Sequence, residues 1–221
     1  MEYKYEMHCH TGCVSRCGRV EPEEIVKLYK EKGYSGIVVT DHYSPMTFKV
    51  SRLACPQKEI DFYLSGYRRM KKAAGDDFDV FLGVELRHYF TANDYLIYGI
   101  DEDFLYNGGN LLNVWEKEVF ERSKEKGCLV FQAHPFRTGI RRCNPDYIDG
   151  VEVFNGKTEK SLNEKALDWA KENNKLIVSG SDFHTVKNLA KGGIITNKKM
   201  KDNSELLTVL KSQDFKLIEN Y

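Results

Sequence analysis

The stretch GIVVTDH, residues 36–42, runs from a glycine through three β-branched residues to Thr40 and ends in Asp41 and His42. A continuous apolar run of this length is typical of a parallel strand that is buried on both faces. In parallel α/β folds the active-site loops converge at the carboxyl ends of the strands. Asp41 and His42 are therefore candidate functional residues, provided that other strands of the chain end in the same way.

Runs of this kind alternate with helical patterns along the whole chain. Glu21-Pro22 opens a helix with proline in its first turn, as helices prefer. The predicted strands are residues 3–8, 36–40, 80–86, 95–100, 128–133, 151–154, 176–179 and 193–196, and the further helices are 61–74, 111–126, 161–173 and 204–212. The alternation predicts an α/β fold with a mostly parallel sheet, either open or closed into a barrel. No linker or change in composition divides residues 1–221, so we expect one domain.

The composition allows a sizeable core and excludes several classes of protein. Of the 221 residues, 41% are hydrophobic and 12% aromatic, which argues against overall disorder. Lysine plus arginine and aspartate plus glutamate number 33 each, so the formal net charge is zero. This balance argues against bulk, non-specific binding to nucleic acid or to a membrane, and it leaves room for a local basic pocket. No apolar run approaches the roughly 20 residues of a membrane span, and the amino terminus lacks the apolar stretch of a secretory signal, which leads us to expect a cytoplasmic protein.

The six cysteines do not form the pattern of a disulfide framework. They include no C-x-x-C pair, and in a reducing compartment each is expected to be a thiol, most of them buried as small hydrophobic residues. Three of them, Cys9, Cys13 and Cys17, lie with His8 and His10 in one short stretch, and the others are Cys55, Cys128 and Cys143.

Imidazoles and carboxylates recur at the ends of the predicted strands. Five of the six histidines lie at or just past such an end, so that the candidate residues are His8, His10, Asp41, His42, Glu85, His134, Asp182 and His184. A single histidine near a strand end is more often a packing or surface residue than a ligand. Here several coincide, and His8 and His10 point to the same side of an extended strand. Because a divalent cation removes the repulsion among crowded acids, the pattern favours a metal cluster.

The residues at these strand ends resemble a known family. His8-Cys9-His10, Thr40-Asp41-His42, Gly83-Val84-Glu85, Ala133-His134-Pro135 and Gly180-Ser181-Asp182-Phe183-His184 are similar, in order, to the motifs of the PHP (polymerase and histidinol phosphatase) superfamily, as is Glu152-Val153-Phe154-Asn155-Gly156. The resemblance spans residues 7 to about 197. It implies a distorted seven-stranded (βα)7 TIM-like barrel with two or three divalent metal ions, zinc, manganese or iron, at the carboxyl ends of the strands. It also implies phosphoesterase activity.

The resemblance assigns the ligands residue by residue. It implies that His8, His10, Glu85 and Asp182 hold one ion, that Glu85 bridges to a second ion bound by His134, and that His42 and His184 hold a third. Two positions depart from the family. Asp94 stands where a histidine is common and can still ligate through oxygen, and Cys17 is the best replacement for an acidic or histidine ligand in the first loop. A packed loop thiol is an equal alternative for Cys17, Cys9 is expected in the core, and Cys13 stays ambiguous.

Clustered divalent ions suit phosphate-ester hydrolysis by a metal-activated hydroxide, which needs no protein nucleophile. His184 or His88 could protonate the leaving group, although His88 could equally be an exposed loop residue. The candidates for binding phosphate are Arg137, which follows His134 closely, and then Arg87, Arg141, Arg142 and Lys157, with residues 136–144 as a substrate loop.

The first hypothesis is therefore a metal-dependent phosphatase of a small phosphorylated metabolite or nucleotide, with histidinol phosphate as one possibility. A phosphotyrosine-protein phosphatase or an exonuclease on the same scaffold is the alternative within enzymes. From another class, a metal-binding regulatory domain that has lost its hydrolase activity also agrees with the two departures. The sequence names neither the metal nor the oligomeric state.

Overall fold

The computed structural model describes residues 1–51, 56–89 and 91–221, without the side chains of residues 49–51 and 56. Cys55 lies outside the described residues, and the other five cysteines are free thiols. Cys9 and Cys128 are buried as expected, and so is Cys143. Cys13 is half-buried, and Cys17 is exposed.

Ten strands are found in the described part of the chain. In chain order they are β1 (Tyr3–Cys9), β2 (Gly36–Val39), β3 (His42–Tyr43), β4 (Asp79–Leu86), β5 (Tyr95–Tyr98), β6 (Leu129–Gln132), β7 (Gly150–Asn155), β8 (Leu176–Gly180), β9 (Gly192–Thr196) and β10 (Lys216–Glu219). Every strand predicted from the sequence is present within one or two residues. The short strands β3 and β10 were not predicted, and the expected count of seven does not describe this sheet.

Nine of these strands form one sheet in the order β10-β9-β1-β2-β4-β5-β6-β7-β8, and β3 pairs with β4 beside it. The sheet curls until its last strand returns to β1. There Phe183 N donates to His8 O (3.0 Å) and His10 N donates to Phe183 O (3.0 Å), just past the ends of β8 and β1. The result is a nearly closed, barrel-like α/β fold that brings residues 8–10 against residues 181–184.

The sheet is less parallel than expected, and the difference matters for the site. β5 is antiparallel to both β4 and β6, and β9 and β10 are antiparallel as well. Because β5 runs in the opposite direction, its amino end lies at the edge where the parallel strands β4 and β6 end. Asp94, which precedes β5, therefore lies beside Glu85 and His134 rather than at the far end of the barrel.

Seven α-helices are found in the described residues, and most of them cover the strands. They are α1 (Pro22–Glu31), α2 (Pro45–Ser51), α3 (Pro56–Ala74), α4 (Glu102–Asn107), α5 (Glu116–Glu125), α6 (Lys160–Glu172) and α7 (Asn203–Ser212). The helix predicted over residues 111–126 is wrong in its first turn: Leu111–Asn113 is a separate 3-10 helix, and Val114 and Trp115 are extended. Helices α2 and α4 were not predicted. No described helix has the length and apolar character that crossing a membrane requires.

The end of β1 is irregular in a way that serves the site. Its register against β2 shifts between Glu6 and Cys9. Within this interval the Glu6 carboxylate, fully buried, accepts from the N–H groups of Met7 (3.0 Å) and His8 (2.9 Å). The same oxygen accepts from Ser181 N (2.8 Å), which ties the bulge to the end of β8. Bulges of this kind re-aim side chains next to functional sites.

Candidate metal centre

Glu85, near the end of β4, lies at the middle of a cluster of imidazoles. Its Oε1 is 3.3 Å from His8 Nε2 and 3.0 Å from His134 Nε2. Its Oε2 is 3.3 Å from His10 Nε2 and 2.6 Å from His42 Nδ1. Each oxygen of this carboxylate thus faces a different pair of imidazoles.

A second carboxylate, Asp182, closes the cluster from the side of β8. Its Oδ1 lies 3.7 Å from His8 Nε2, 3.5 Å from His10 Nε2 and 3.1 Å from His184 Nδ1. Its other oxygen accepts a hydrogen bond from Arg137 Nη2 (2.6 Å). One oxygen of Asp182 therefore faces the imidazoles, while the other is bound by the guanidinium of Arg137.

These side chains form three groups in which the ligand atoms lie within 4.8 Å of one another: His8, His10 and Asp182; Glu85, Asp94 and His134; and His10, His42 and His184. The buried nitrogens His8 Nε2 and His10 Nε2 make no hydrogen bond to any described residue. Buried polar atoms normally have a partner. Imidazole nitrogens that converge with carboxylate oxygens are the donor set of a transition-metal site, so the residues present fit divalent ions.

The charged side chains of the cluster shift the pKa values of its two carboxylates. Burial alone would raise the pKa of Glu85, but the facing rings of His42 and His8 lower it well below its ordinary value. The pKa of Asp182 is likewise well below its ordinary value, because His8, His10, His184 and Arg137 outweigh its burial. Both carboxylates therefore stay ionised, as metal ligands must.

The histidine rings are oriented by hydrogen bonds on their other nitrogens. His8 Nδ1 lies 2.8 Å from Glu152 Oε1, and His10 Nδ1 lies 3.2 Å from Ser15 Oγ. Ser15 in turn donates to Asp41 Oδ1 (2.6 Å). Such contacts fix the tautomer that leaves Nε2 free to ligate, and they are the usual partners of metal-binding histidines. Asp41, at the end of β2, is thus a supporting residue of the site.

Two of the candidate ligands lie on backbone that few residues adopt. His134 has a φ of 31° and Asp182 a φ of 49°, both in the left-handed region. Residues other than glycine take this conformation rarely, and it is most often found at functional sites. Gly180, two residues before Asp182, allows a close approach: a Cβ there would lie 2.4 Å from His8 Cβ and 2.7 Å from Glu152 Oε1.

A cavity of about 970 Å³ opens over the cluster. Five basic side chains lie in its wall: Arg16, Arg19, Arg87, Arg137 and Lys157. Two exposed side chains, Met46 and Tyr89, also line it. The candidate metal cluster thus forms the bottom of the cavity, and positively charged side chains form its wall, which suits an anionic ligand.

The fold and this cluster together agree with one family. The model of the PHP domain matches residues 6–212 of the chain. The chain belongs to the PHP family. The PHP family is a family of metal-dependent hydrolases. Among curated proteins no sequence matches the chain significantly.

Solved structures share the PHP fold at low sequence identity. A protein from Bifidobacterium adolescentis, described as a metal-dependent phosphoesterase, is 14% identical with a TM-score of 0.54. The superposition covers 94% of this chain and 95% of the other chain. The lesion-specific endonuclease PfuEndoQ from Pyrococcus furiosus is 15% identical with a TM-score of 0.62 and covers 98% of this chain and 58% of its own. A chain from the metal-dependent tyrosine phosphatases YwqE of Bacillus subtilis and CpsB of Streptococcus pneumoniae is 18% identical with a TM-score of 0.50 and covers 95% and 87%.

The two positions that depart from the family lie at opposite sides of the PHP cluster. Cys17 Sγ is 3.2 Å from His42 Nε2. Cys17 is exposed at the surface, but the partial desolvation of its thiol would raise its pKa, and hydrogen bonds from His184 and His42 lower that pKa to about 6. Asp94 is buried and its Oδ2 lies 3.7 Å from His134 Nε2, but its carboxylate is paired with Arg87.

The remaining predicted residues of the PHP site are placed as follows. Arg137 and Lys157 line the cavity, and both contact Asp182. His88 is buried rather than exposed, lines the cavity and stacks on Tyr95 with ring centroids 5.9 Å apart. Arg141 and Arg142 are exposed and are not among the residues that line the cavity. Arg142 lies over the ring of Phe136, 5.4 Å from its centroid, so the structure does not bring it to the site.

Sequence reasoning missed part of the PHP site. Arg16 and Arg19 were not singled out as phosphate candidates, although they sit in the same loop as Cys17. The roles of Glu152 and Asn155 were also missed: Glu152 Oε2 accepts from His134 N (3.0 Å) and from Asn155 Nδ2 (2.9 Å). The motif of residues 152–156 signalled that this strand end matters, but not that its residues support the ligands instead of ligating.

Proposed function

We propose that the protein is a metal-dependent phosphoric monoester hydrolase that acts on a small phosphorylated metabolite or a nucleotide. The observation that carries the proposal is the position of Glu85. This buried carboxylate faces four imidazoles at the base of a cavity whose wall holds five basic side chains. The carboxylate and imidazoles at the bottom of the cavity suit divalent ions, and the basic side chains of its wall suit the negative charge of a phosphate ester.

The proposed ligands draw on the three groups of converging atoms and on the contacts of Glu85 and Cys17. His8, His10, Glu85 and Asp182 would hold one ion, Glu85 and His134 a second, and His42 and His184 with Cys17 a third. Divalent ions bound there would polarise phosphoryl oxygens and lower the pKa of a coordinated water to near neutrality. Zinc, manganese and iron all accept such a mixture of imidazole and carboxylate ligands.

The chain's own groups would bind and orient the ester. Arg16, Arg19 and Lys157 bring positive charge to the cavity wall. Arg137 is engaged with Asp182 (2.6 Å) and Asn155 (2.6 Å), so its main role is to position Asp182. Positive charge around the phosphoryl group stabilises the charge that develops during transfer.

The leaving oxygen needs a proton, and the two candidates to supply it are His88 and His184, which line the cavity. His184 Nδ1 lies 3.3 Å from Lys157 Nζ at the cavity wall. His88 lies in the same wall, beside Tyr95. We assign the proton to His184 when that residue is not holding an ion, and otherwise to His88.

A reconstituted-enzyme screen tests the proposal. Protein loaded separately with manganese, zinc or iron is assayed on p-nitrophenyl phosphate, bis(p-nitrophenyl) phosphate, a phosphotyrosine peptide, a single-stranded oligonucleotide and a panel of phosphorylated metabolites that includes histidinol phosphate. We expect small monoesters to be hydrolysed fastest and the activity to be lost in Glu85→Gln. A matched control, Glu125→Gln on the exposed surface of α5, should keep the activity.

Four results would overturn the proposal. Preference for the phosphotyrosine peptide would identify a protein phosphatase, and preference for the oligonucleotide or the diester would identify a nuclease. No hydrolysis with any ion, in protein that binds metal, would identify a regulatory domain. Activity retained in Glu85→Gln would show that the hydrolysis arises elsewhere.

A further inference from the structure

Asp94 is close to the metal centre, yet both of its oxygens are engaged by a side chain of the cavity wall. Arg87 Nε donates to Asp94 Oδ1 (2.7 Å), and Arg87 Nη2 donates to Asp94 Oδ2. The Asp94 side chain is 2% exposed, whereas that of Arg87 is 45% exposed. The pair therefore connects the buried base of the site to the open cavity through a two-point contact of fixed geometry.

This contact disfavours Asp94 as a metal ligand. A cation held by Asp94 would lie next to the guanidinium, and two positive charges at such separation repel strongly in a site of low dielectric. The buried carboxylate already has the partner that its burial requires. Among Glu85, Asp94 and His134, the aspartate is also the carboxylate farther from the imidazole. Asp94 Oδ2 is 3.7 Å from His134 Nε2, whereas Glu85 Oε1 is 3.0 Å from the same nitrogen.

Arg87 has hydrogen-bond donors that Asp94 does not use, and its side chain lines the cavity that an anion would enter. Of the five guanidinium N–H groups, the contact with Asp94 uses two. In the part of the chain that the structure describes, the guanidinium makes no other hydrogen bond, and it lines the cavity. Arg87 follows Glu85 by two residues, directly after the end of β4, and residues two apart along a strand have their side chains on the same side. The bond from Arg87 N to Tyr43 O (3.0 Å) continues the pairing of β3 with β4 and fixes this direction.

We propose that Arg87 binds the phosphoryl group of the substrate, and that Asp94 is the positioning residue that holds its guanidinium instead of a ligand of the second ion. The proposal rests on the proposed phosphoesterase function, because it names the group that recognises the phosphate of that reaction. It replaces the ligand role expected for Asp94 from the sequence with the role of an anchor for Arg87.

The test compares metal content with phosphate binding in four proteins: the wild type, Arg87→Met, Asp94→Asn and the double variant. Each is reconstituted with manganese, its ions are counted by elemental analysis, and inorganic phosphate is titrated into it by calorimetry. We expect the same ion count in all four. Each single variant should bind phosphate more weakly by roughly 10-fold or more, as expected for a charged hydrogen bond. The double variant should be no weaker than Arg87→Met, because Asp94 acts through Arg87.

Kinetic constants add a second readout. Both single variants should raise KM for a small phosphate monoester more than they lower kcat, whereas loss of an ion would mainly lower kcat. Arg142→Met, an exposed arginine outside the cavity, is the matched control and should behave as the wild type. Circular dichroism checks the folding of each variant, and Asp94→Ser replaces Asp94→Asn if the latter does not fold.

Loss of about one ion per chain in Asp94→Asn or Asp94→Ser would overturn the proposal and identify Asp94 as a ligand. Phosphate binding in Arg87→Met equal to that of the wild type would also overturn it. Failure of the proposed function has a different signature, because the wild type itself would then bind metal but hydrolyse no monoester.

Discussion

Glu152 is fully buried, and its two oxygens hold three parts of the metal centre. They contact the His8 ring, the N–H group of His134 and the amide of Asn155. In Glu152→Gln one of the two oxygens becomes an NH₂ group, which then faces either the ring N–H of His8 or the N–H of His134, a donor against a donor. We expect metal affinity to fall by about 10- to 100-fold, as for other residues that orient ligands.

Competition with a chelator of known affinity measures this effect, with the fold monitored by circular dichroism. Glu172→Gln, at the exposed end of α6, is the matched control and should bind metal as the wild type does. Unchanged affinity in Glu152→Gln would mean that the His8 ring is oriented by its packing alone.

Cys17 provides a second prediction, about the third ion. Metal held between His42, His184 and the Cys17 thiolate should protect this thiol from alkylation, and chelation should expose it. Cys17→Ser should lose only this ion, while Cys17→Asp should recover it with a preference for harder ions such as manganese. Mass-spectrometric labelling with and without chelator, together with ion counts of the two variants, checks the prediction. Equal labelling in both states with an unchanged ion count would show that Cys17 is only a loop thiol.

The sequence allowed the converging histidines to be predicted, because each lies at or just past the end of a predicted strand. It did not reveal the residues behind them. Ser15 and Asn155 are ordinary polar residues in the sequence, and only the folded chain shows that they orient His10 and Asp182. Arg142 was predicted from its position near the substrate loop, but its direction is set by Phe136 and could not be read from spacing.

Strand direction was the main feature of the fold that the pattern of residues did not give. A short, fully buried run such as β5 has the same composition whether it pairs parallel or antiparallel. Its reversal follows from the connections: β4 joins β5 through a short loop, and parallel strands need a longer crossover. This reversal brings Asp94, at the amino end of β5, to the edge where β4 ends.

The close approach of β8 to β1 gives a prediction about these elements. In Gly180→Ala the added methyl group would lie 2.4 Å from His8 Cβ, so the strands must separate. We expect a loss of about 1–3 kcal/mol in the free energy of unfolding, as for other overpacked sites, together with weaker metal binding. Denaturant unfolding of the metal-free and metal-loaded protein measures both effects.

Gly127→Ala is a useful comparison, because a Cβ there meets nothing within 4 Å and only its φ of +76° opposes the change. It should lower stability without changing metal affinity. Gly180→Ala with unchanged metal affinity would show that the end of β8 does not hold the His8 ligand in place.

Across the whole molecule, the candidate ligands come from residues 8 to 184 and from strands on several sides of the barrel. Ions at this centre would therefore tie the nearly closed sheet together and stabilise the folded state over the unfolded chain. At metal concentrations about 100 times the dissociation constant this amounts to about 2.7 kcal/mol per ion. For a chain of this size the melting temperature should rise by roughly 5–10 °C for each ion that binds. Calorimetric scans before and after chelation check this, and an unchanged melting temperature would contradict a centre that bridges the strands.

The central claim is that Glu85 bridges ions within one centre, and counting the ions tests it most directly. Elemental analysis and native mass spectrometry are applied to wild-type protein and Glu85→Gln after reconstitution with manganese, zinc or iron. The account predicts at least two ions per chain in the wild type and the joint loss of two ions in Glu85→Gln, with the fold intact. Wild-type protein that takes up no metal, or a Glu85→Gln variant that keeps the full complement, would contradict it.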